Sequence, residues 1–259
     1  MMLNVKVENQ IAHLELNRPE VRNALSPELI QKLTGQFQDL AQRKDVQVIL
    51  LSGVGKVFCA GADLNTMQAM VNFSQAENKQ DAQNLFGLFA AMEACPQPVI
   101  TSVQGAAYGG ALGLIAASDI VIADSATQFC FSEVKLGIAP AVISAFILKK
   151  VSARSVSPWM ISGRVFSARE ALRFGLVTEV ANGQAAEALE AWTQAFLEAG
   201  PQAIAATKKL LHSSQYWMDS ASVKNQTTDL IAQLRVSPEG QEGLKSFLEK
   251  RNPAWKVKS

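Results

Sequence analysis

The sequence predicts an α/β core followed by a helical last third, and three observations carry that prediction. Short β-rich apolar runs at residues 46–52, Val99–Val103 and 120–123 are separated by helical patterns, which is the alternation of an α/β layer structure. Gly53 and Gly55 bound the first of these runs, as expected of a buried strand. From about Trp192 to the end the pattern is helical, with no repeats and no low-complexity tract.

Two alternating segments, Leu3–Glu8 and Ile11–Leu16, open the chain, and Asn9-Gln10 between them reads as the tight turn of a hairpin. Asn17-Arg18-Pro19 follows as a loop. Ser26-Pro27-Glu28 is a helix start, combining a capping hydroxyl, Pro at the first helical position and an acid near the positive end of the dipole. Leu25, Leu29, Leu33, Phe37 and Leu40 then share one face, which is expected to be buried. Residues 74–84 are polar and lack an apolar period until Leu85, so they read as a surface segment or a helix start. Ser237-Pro238-Glu239 repeats the helix-start signature. Leu244, Phe247 and Leu248 form an apolar stripe after it, and Pro253 stops it.

Composition narrows the function classes. The chain has 259 residues, 48% apolar and 18% charged, which suits one globular unit or one large core with an appendage. A formal net charge of +1 and no basic stripe make nucleic acid a poor partner. Cys59, Cys95 and Cys130 are far apart with no CxxC pair, which argues against a disulfide framework or a zinc site and fits a reducing, cytoplasmic setting. The N-terminus has no apolar signal core, and the weakly polar run at residues 105–117 is shorter than the roughly 20 residues a membrane span needs. No metal and no membrane partner is expected.

Two glycine-rich junctions follow buried strands. The first is Phe58-Cys59-Ala60-Gly61-Ala62-Asp63-Leu64, and the second runs from Gln104 through Gly105, Tyr108, Gly109, Gly110 and Gly113. Glycine lets backbone approach a ligand, and a helix that starts there aims free N–H groups outward. Side by side, two such junctions can hold one oxygen between two N–H donors, as an oxyanion hole does. They also suit tight strand–helix packing alone, and the glycines match neither a dinucleotide fingerprint nor a phosphate loop. His13 and His212 sit far from any nucleophile motif, so serine–histidine chemistry is not expected.

Together with Arg22-Asn23-Ala24-Leu25 and the run from Phe131-Ser132-Glu133 to Pro140, these junctions resemble the crotonase (enoyl-CoA hydratase/isomerase) superfamily over nearly the whole chain. Within it, Gln104-Gly105-Ala106-Ala107 and Ile138-Ala139-Pro140-Ala141 are most similar to bacterial methylglutaconyl-CoA hydratases of leucine breakdown. The resemblance implies a crotonase-like spiral of ββα turns as a core over residues 1–195, with a helical region at 196–259 for oligomerisation. It also implies a homotrimer or homohexamer, an acyl-CoA substrate and no separate cofactor, coenzyme A being part of the substrate.

The resemblance further implies that the N–H groups of Ala62 and Gly110 stabilise a thioester enolate and that Glu133 does the acid–base work. Arg22, Ala24, Ala60, Asp63, Leu64, Tyr108 and Gly109 would line the substrate and coenzyme A site, with Arg22 on a phosphate. Asp63 also reads as a helix cap or loop-fixing acid. Lys245 or Lys250 would reach a coenzyme from a neighbouring subunit. The departure is Gly113, which stands where two-carboxylate hydratases of the family carry a second Glu. A hydratase working with Glu133 alone, an isomerase moving the double bond with the same acid, and an acyl-CoA-binding protein without chemistry remain open at this point. A carboxylated acyl group would need a cation, for which Lys79, Lys149 and Lys150 are candidates.

Overall fold

The computed structural model describes residues 1–214 and 220–256. Strands β1 (Leu3–Glu8) and β2 (Ile11–Leu16) form the expected hairpin, with Leu3 opposite Leu16 and Glu8 opposite Ile11. Its turn residues Asn9 and Gln10 both take positive φ, 48° and 66°, which suits the right-handed twist of a two-residue hairpin turn. β3 (Val48–Gly53), β4 (Val99–Val103), β6 (Ile120–Asp124) and β9 (Glu179–Ala181) extend the sheet in parallel. Its order is β1-β2-β3-β4-β6-β9. The run expected at 46–52 thus begins and ends slightly later. Val46 is buried ahead of the strand rather than paired in it.

Both faces of this sheet are covered. Ile49 and Leu51 enter the main core, while Val48 and Leu50 alternate to the opposite face, where Trp192, Phe196 and Leu197 of α8 (Ala185–Glu198) pack on them. The helical last third therefore starts before Trp192, and residue 196 falls within α8. Helix α1 (Pro27–Ala41) is capped by Ser26, whose side chain accepts from the Leu29 N–H. Its stripe Leu29, Leu33, Phe37 and Leu40 is buried as expected, together with Leu25.

Residues 75–84 belong to helix α3 (Gln75–Ala94), with Ser74 as its cap, one continuous element after the short α2 (Leu64–Met70). Ser74 and Glu77 close a reciprocal capping box at its start. A second, three-stranded sheet of β5 (Ala106–Tyr108), β7 (Gln128–Cys130) and β8 (Phe166–Ser167) stands beside the first. Helix α4 (Gly110–Ala117) follows β5 directly, packs against α3 and is buried from Ala111 onward. After α5 (Ala141–Lys150), α6 (Ala153–Ser162) and α7 (Ala168–Arg173), the last helices are α9 (Pro201–Ser214), α10 (Ser220–Val236) and α11 (Pro238–Leu248). Glu239, in the first turn of α11, accepts from the Gln202 and Ala203 N–H groups and so caps α9. Among the described residues no helix is long and apolar enough to cross a membrane, and no group of His, Cys, Asp and Glu could hold a metal ion.

Candidate active site

The site is assembled from three backbone segments laid side by side. The first is the loop at residues 18–25. After a short 3-10 turn (Pro19–Val21), Arg22 and Asn23 both adopt left-handed conformations, φ 55° and 56°. Asn tolerates that region better than most residues, and Arg there costs about 1 kcal/mol or more. Buried Asn23 secures the loop. Its Oδ1 accepts from the Arg18 N–H at 2.8 Å, and its Nδ2 donates to the carbonyls of Val54 and Val57, each at 2.9 Å.

The second segment, residues 59–63, runs between that loop and β5. On one side the Ala60 N–H donates to the Arg22 carbonyl, the Leu25 N–H to the Gly61 carbonyl, and the Asp63 N–H to the Leu25 carbonyl. On the other side Cys59 bridges Ala107 in parallel, and the Tyr108 N–H donates to the Cys59 carbonyl. Gly61 is needed at this crossing. Its φ is 94°, and a Cβ there would lie 2.7 Å from the Tyr108 carbonyl oxygen. Carrying the Cys59–Ala107 register forward sets Ala62 opposite Gly110.

The third segment begins α4. Gly109, with φ 52° and ψ −123°, caps the helix without a side chain. Its own N–H donates to the Cys130 carbonyl at 2.9 Å, and its carbonyl takes the Leu112 N–H. Among the described residues no acceptor takes the N–H of Ala62 or of Gly110. Gly110 is the first residue of α4, so the positive end of that helix dipole adds to its N–H.

Glu133 comes to the same place from the 3-10 helix Ser132–Leu136. A Cβ on Gly109 would lie 3.5 Å from Glu133 Oε1 and 3.2 Å from Ser132 Oγ. Glu133 Oε2 is buried and has no hydrogen-bond partner. Burial raises its pKa from the ordinary value, and a hydrogen bond from its own backbone N–H offsets this in part. A carboxyl group that burial makes easier to protonate, with one oxygen free of any hydrogen-bond partner, can take and return a proton.

Sequence reasoning had singled out Ala60, Ala62, Gly109, Gly110, Tyr108 and Glu133, and the fold brings them together. Ala24 is buried behind them, and its carbonyl accepts from Arg18 Nη1. Tyr108 lies opposite Cys130 in the β5–β7 pairing. Arg22 is exposed on its loop, and Leu64 is 74% exposed at the start of α2. The Asp63 carboxylate is engaged, capping α2 through the Asn65 N–H and pairing with Arg18 at 2.8 Å. Burial alone would raise its pKa, but Arg18 and the Asn65 and Thr66 N–H groups outweigh this and hold it below the ordinary value. Lys149 is paired with Glu93 at 2.5 Å, and Lys79 is exposed on α3. Burial pushes the Cys59 thiol up to about 12, which leaves no thiolate for nucleophilic chemistry.

Sequence reasoning missed Arg18, Asn23 and Phe89. Arg18 and Asn23 lie within the motif that signalled the loop, but their partners are distant in sequence. Phe89 decides the meaning of Gly113, because a Cβ on Gly113 would run into the Phe89 ring. The place of a second acid is thus filled by an aromatic side chain from α3.

The chain belongs to the enoyl-CoA hydratase/isomerase family, whose model matches residues 6–258. An enoyl-CoA hydratase from Shewanella pealeana of known crystal structure is 37% identical, with 98% of this chain and 96% of that one covered and a TM-score of 0.95. The 2,3-dehydroadipyl-CoA hydratase of Escherichia coli is 30% identical over 98% of both chains. A trans-2-decenoyl-[acyl-carrier-protein] isomerase of Streptococcus mutans is 28% identical over 96% of this chain and 95% of its own. The expected crotonase-like α/β spiral with a C-terminal helical region is borne out.

Proposed function

We propose that the protein is a hydro-lyase that adds water across the double bond of an enoyl-CoA thioester. The observation that carries this reading is the buried, unpartnered Oε2 of Glu133 beside the unclaimed N–H groups of Ala62 and Gly110. The thioester oxygen sits between the two N–H groups, which stabilise the charge that develops as water attacks the β-carbon. One such donor is worth about 3–4 kcal/mol of barrier where it has been measured. Glu133 takes a proton from the water and delivers it to the α-carbon. Arg22, exposed at the rim, binds a coenzyme A phosphate, while Ala24, Ala60, Leu64 and Tyr108 line the bound thioester.

The finer reading is 3-methylglutaconyl-CoA as substrate, supported by sequence resemblance. Its free carboxylate calls for a cation, and Lys79 is exposed on α3. Assembly belongs to the same proposal. Val236, Phe247 and Leu248 are 77%, 82% and 78% exposed on the last helices, which suits residues 196–259 as the contact region of a homotrimer or homohexamer.

Titration against a panel of enoyl-CoA thioesters tests the reaction. Loss of the conjugated thioester absorbance with crotonyl-CoA and, faster, with 3-methylglutaconyl-CoA is expected. Migration of the double bond in an unconjugated enoyl-CoA, with no hydration of any thioester, would make the protein an isomerase.

A further inference from the structure

Helices α3 and α4 pack against each other, and two contacts fix their relation. A Cβ on Gly110 would lie 3.9 Å from Leu85 Cδ2, and one on Gly113 would meet Phe89. A step of three residues along α4 matches a step of four along α3 in the same direction, so the two helices run parallel. The residue four positions before Leu85 therefore stands about 6 Å in front of the first residue of α4. That residue is Asp81, and the space in front of Gly110 is the space its unclaimed N–H faces.

The helix face agrees. At 100° per residue Asp81 falls within the stripe formed by Leu85, Leu88, Phe89 and Met92, the last three of which are buried. Gln75 to Gln80 are all exposed, and Asp81 is the first residue of α3 to turn inward. Among the described residues its carboxylate has no hydrogen-bond or ion-pair partner. Burial raises its pKa, consistent with a carboxylate facing the protein rather than solvent.

We propose that Asp81 is a second carboxylate of the active site, supplied by α3 in place of the acid that Phe89 excludes from position 113. Its role is to hold the attacking water by accepting one of its hydrogen bonds while the other O–H points at Glu133. As the water oxygen bonds to the β-carbon, the π electrons move toward the thioester and charge gathers on the oxygen between Ala62 and Gly110. The O–H bond to Glu133 breaks, and Glu133 passes that proton to the α-carbon. One water is added, no proton stays on Asp81 and no other reactant is required. The proposal rests on the hydratase reading above.

Two assays on the purified protein separate the parts. One is hydration of crotonyl-CoA. The other is exchange of the α-protons of butyryl-CoA in deuterium oxide, which needs Glu133 and the two N–H groups but no attacking water. Asp81→Asn is expected to lower the hydration kcat about 100-fold or more, with KM little changed and exchange within about threefold of wild type. Asp81→Glu recovers part of the hydration, and Glu133→Gln loses both activities. Hydration by Asp81→Asn within about threefold of wild type would overturn the role of Asp81 alone, as would a parallel loss of exchange. Failure of the wild type to hydrate any enoyl-CoA would remove the hydratase reading and this proposal with it.

Discussion

The ring of Phe89 occupies the space that any side chain at Gly113 would need. Phe89 is fully buried and packs edge-on against Phe146, with ring centroids 5.4 Å apart. The ring is thus buried against Phe146, and moving it aside would disturb that packing. Restoring the missing acid by Gly113→Glu is expected to destabilise the fold by about 1–3 kcal/mol or more through overpacking, without gain in activity. Combining it with Phe89→Ala should return part of that stability. Denaturant titration of the single and double variants checks both expectations.

Glu133→Gln is expected to lower turnover of an enoyl-CoA by roughly a hundred- to ten-thousandfold with little change in thioester affinity. Steady-state kinetics with a direct binding measurement separates the two effects.

The same substitution is expected to stabilise the fold at neutral pH. Burial raises the folded-state pKa of Glu133 above the ordinary value it has in the unfolded chain. Between those two values the folded state binds more protons than the unfolded state, so this group's contribution to stability falls as pH rises. The penalty is absent below the unfolded value and complete above the folded one. Thermal melts at pH 4 and pH 7 should show a higher Tm for Glu133→Gln at pH 7 and a smaller difference at pH 4.

Much of this was legible in the sequence, for local reasons. Asn9-Gln10 announces its turn, Ser26-Pro27 its helix start, and the two junction motifs announce backbone that must approach something closely. The first half of α3 was ambiguous because Gln75 to Gln80 face solvent and show no apolar period, although Ser74 and Glu77 already held the capping-box spacing. The second sheet was not legible because its strands are two or three residues long. The Arg18–Asp63 pair joins positions 45 apart, and the Phe89–Gly113 contact joins two helices. Periodicity does not report pairings of that kind.

Arg18→Ala would leave the Asp63 carboxylate buried without its ion pair. It is expected to cost about 3 kcal/mol of stability. Activity should also fall, because Arg18, Asp63 and the Ala24 carbonyl together fix the backbone on either side of Ala62. The Asp63 pKa is lowered, so the pair's stabilisation is present above the unfolded value of about 3.8 and lost as pH falls through the folded one. Acid unfolding curves should therefore converge for wild type and variant at low pH and separate above it.

Replacing Phe247 and Leu248 by Asp together is expected to lower the mass of the assembly in light scattering while leaving the far-ultraviolet circular dichroism unchanged. A trimer or hexamer that survives the double substitution would place the contact elsewhere than α11.

The convergence of the Ala62 and Gly110 N–H groups on one thioester oxygen is tested most directly by isotope-edited infrared spectroscopy of a bound acyl-CoA labelled with ¹³C at the thioester carbonyl. Two backbone donors on that oxygen should move the carbonyl stretch to lower frequency than that of the same thioester free in water. A band unmoved on binding would contradict the account.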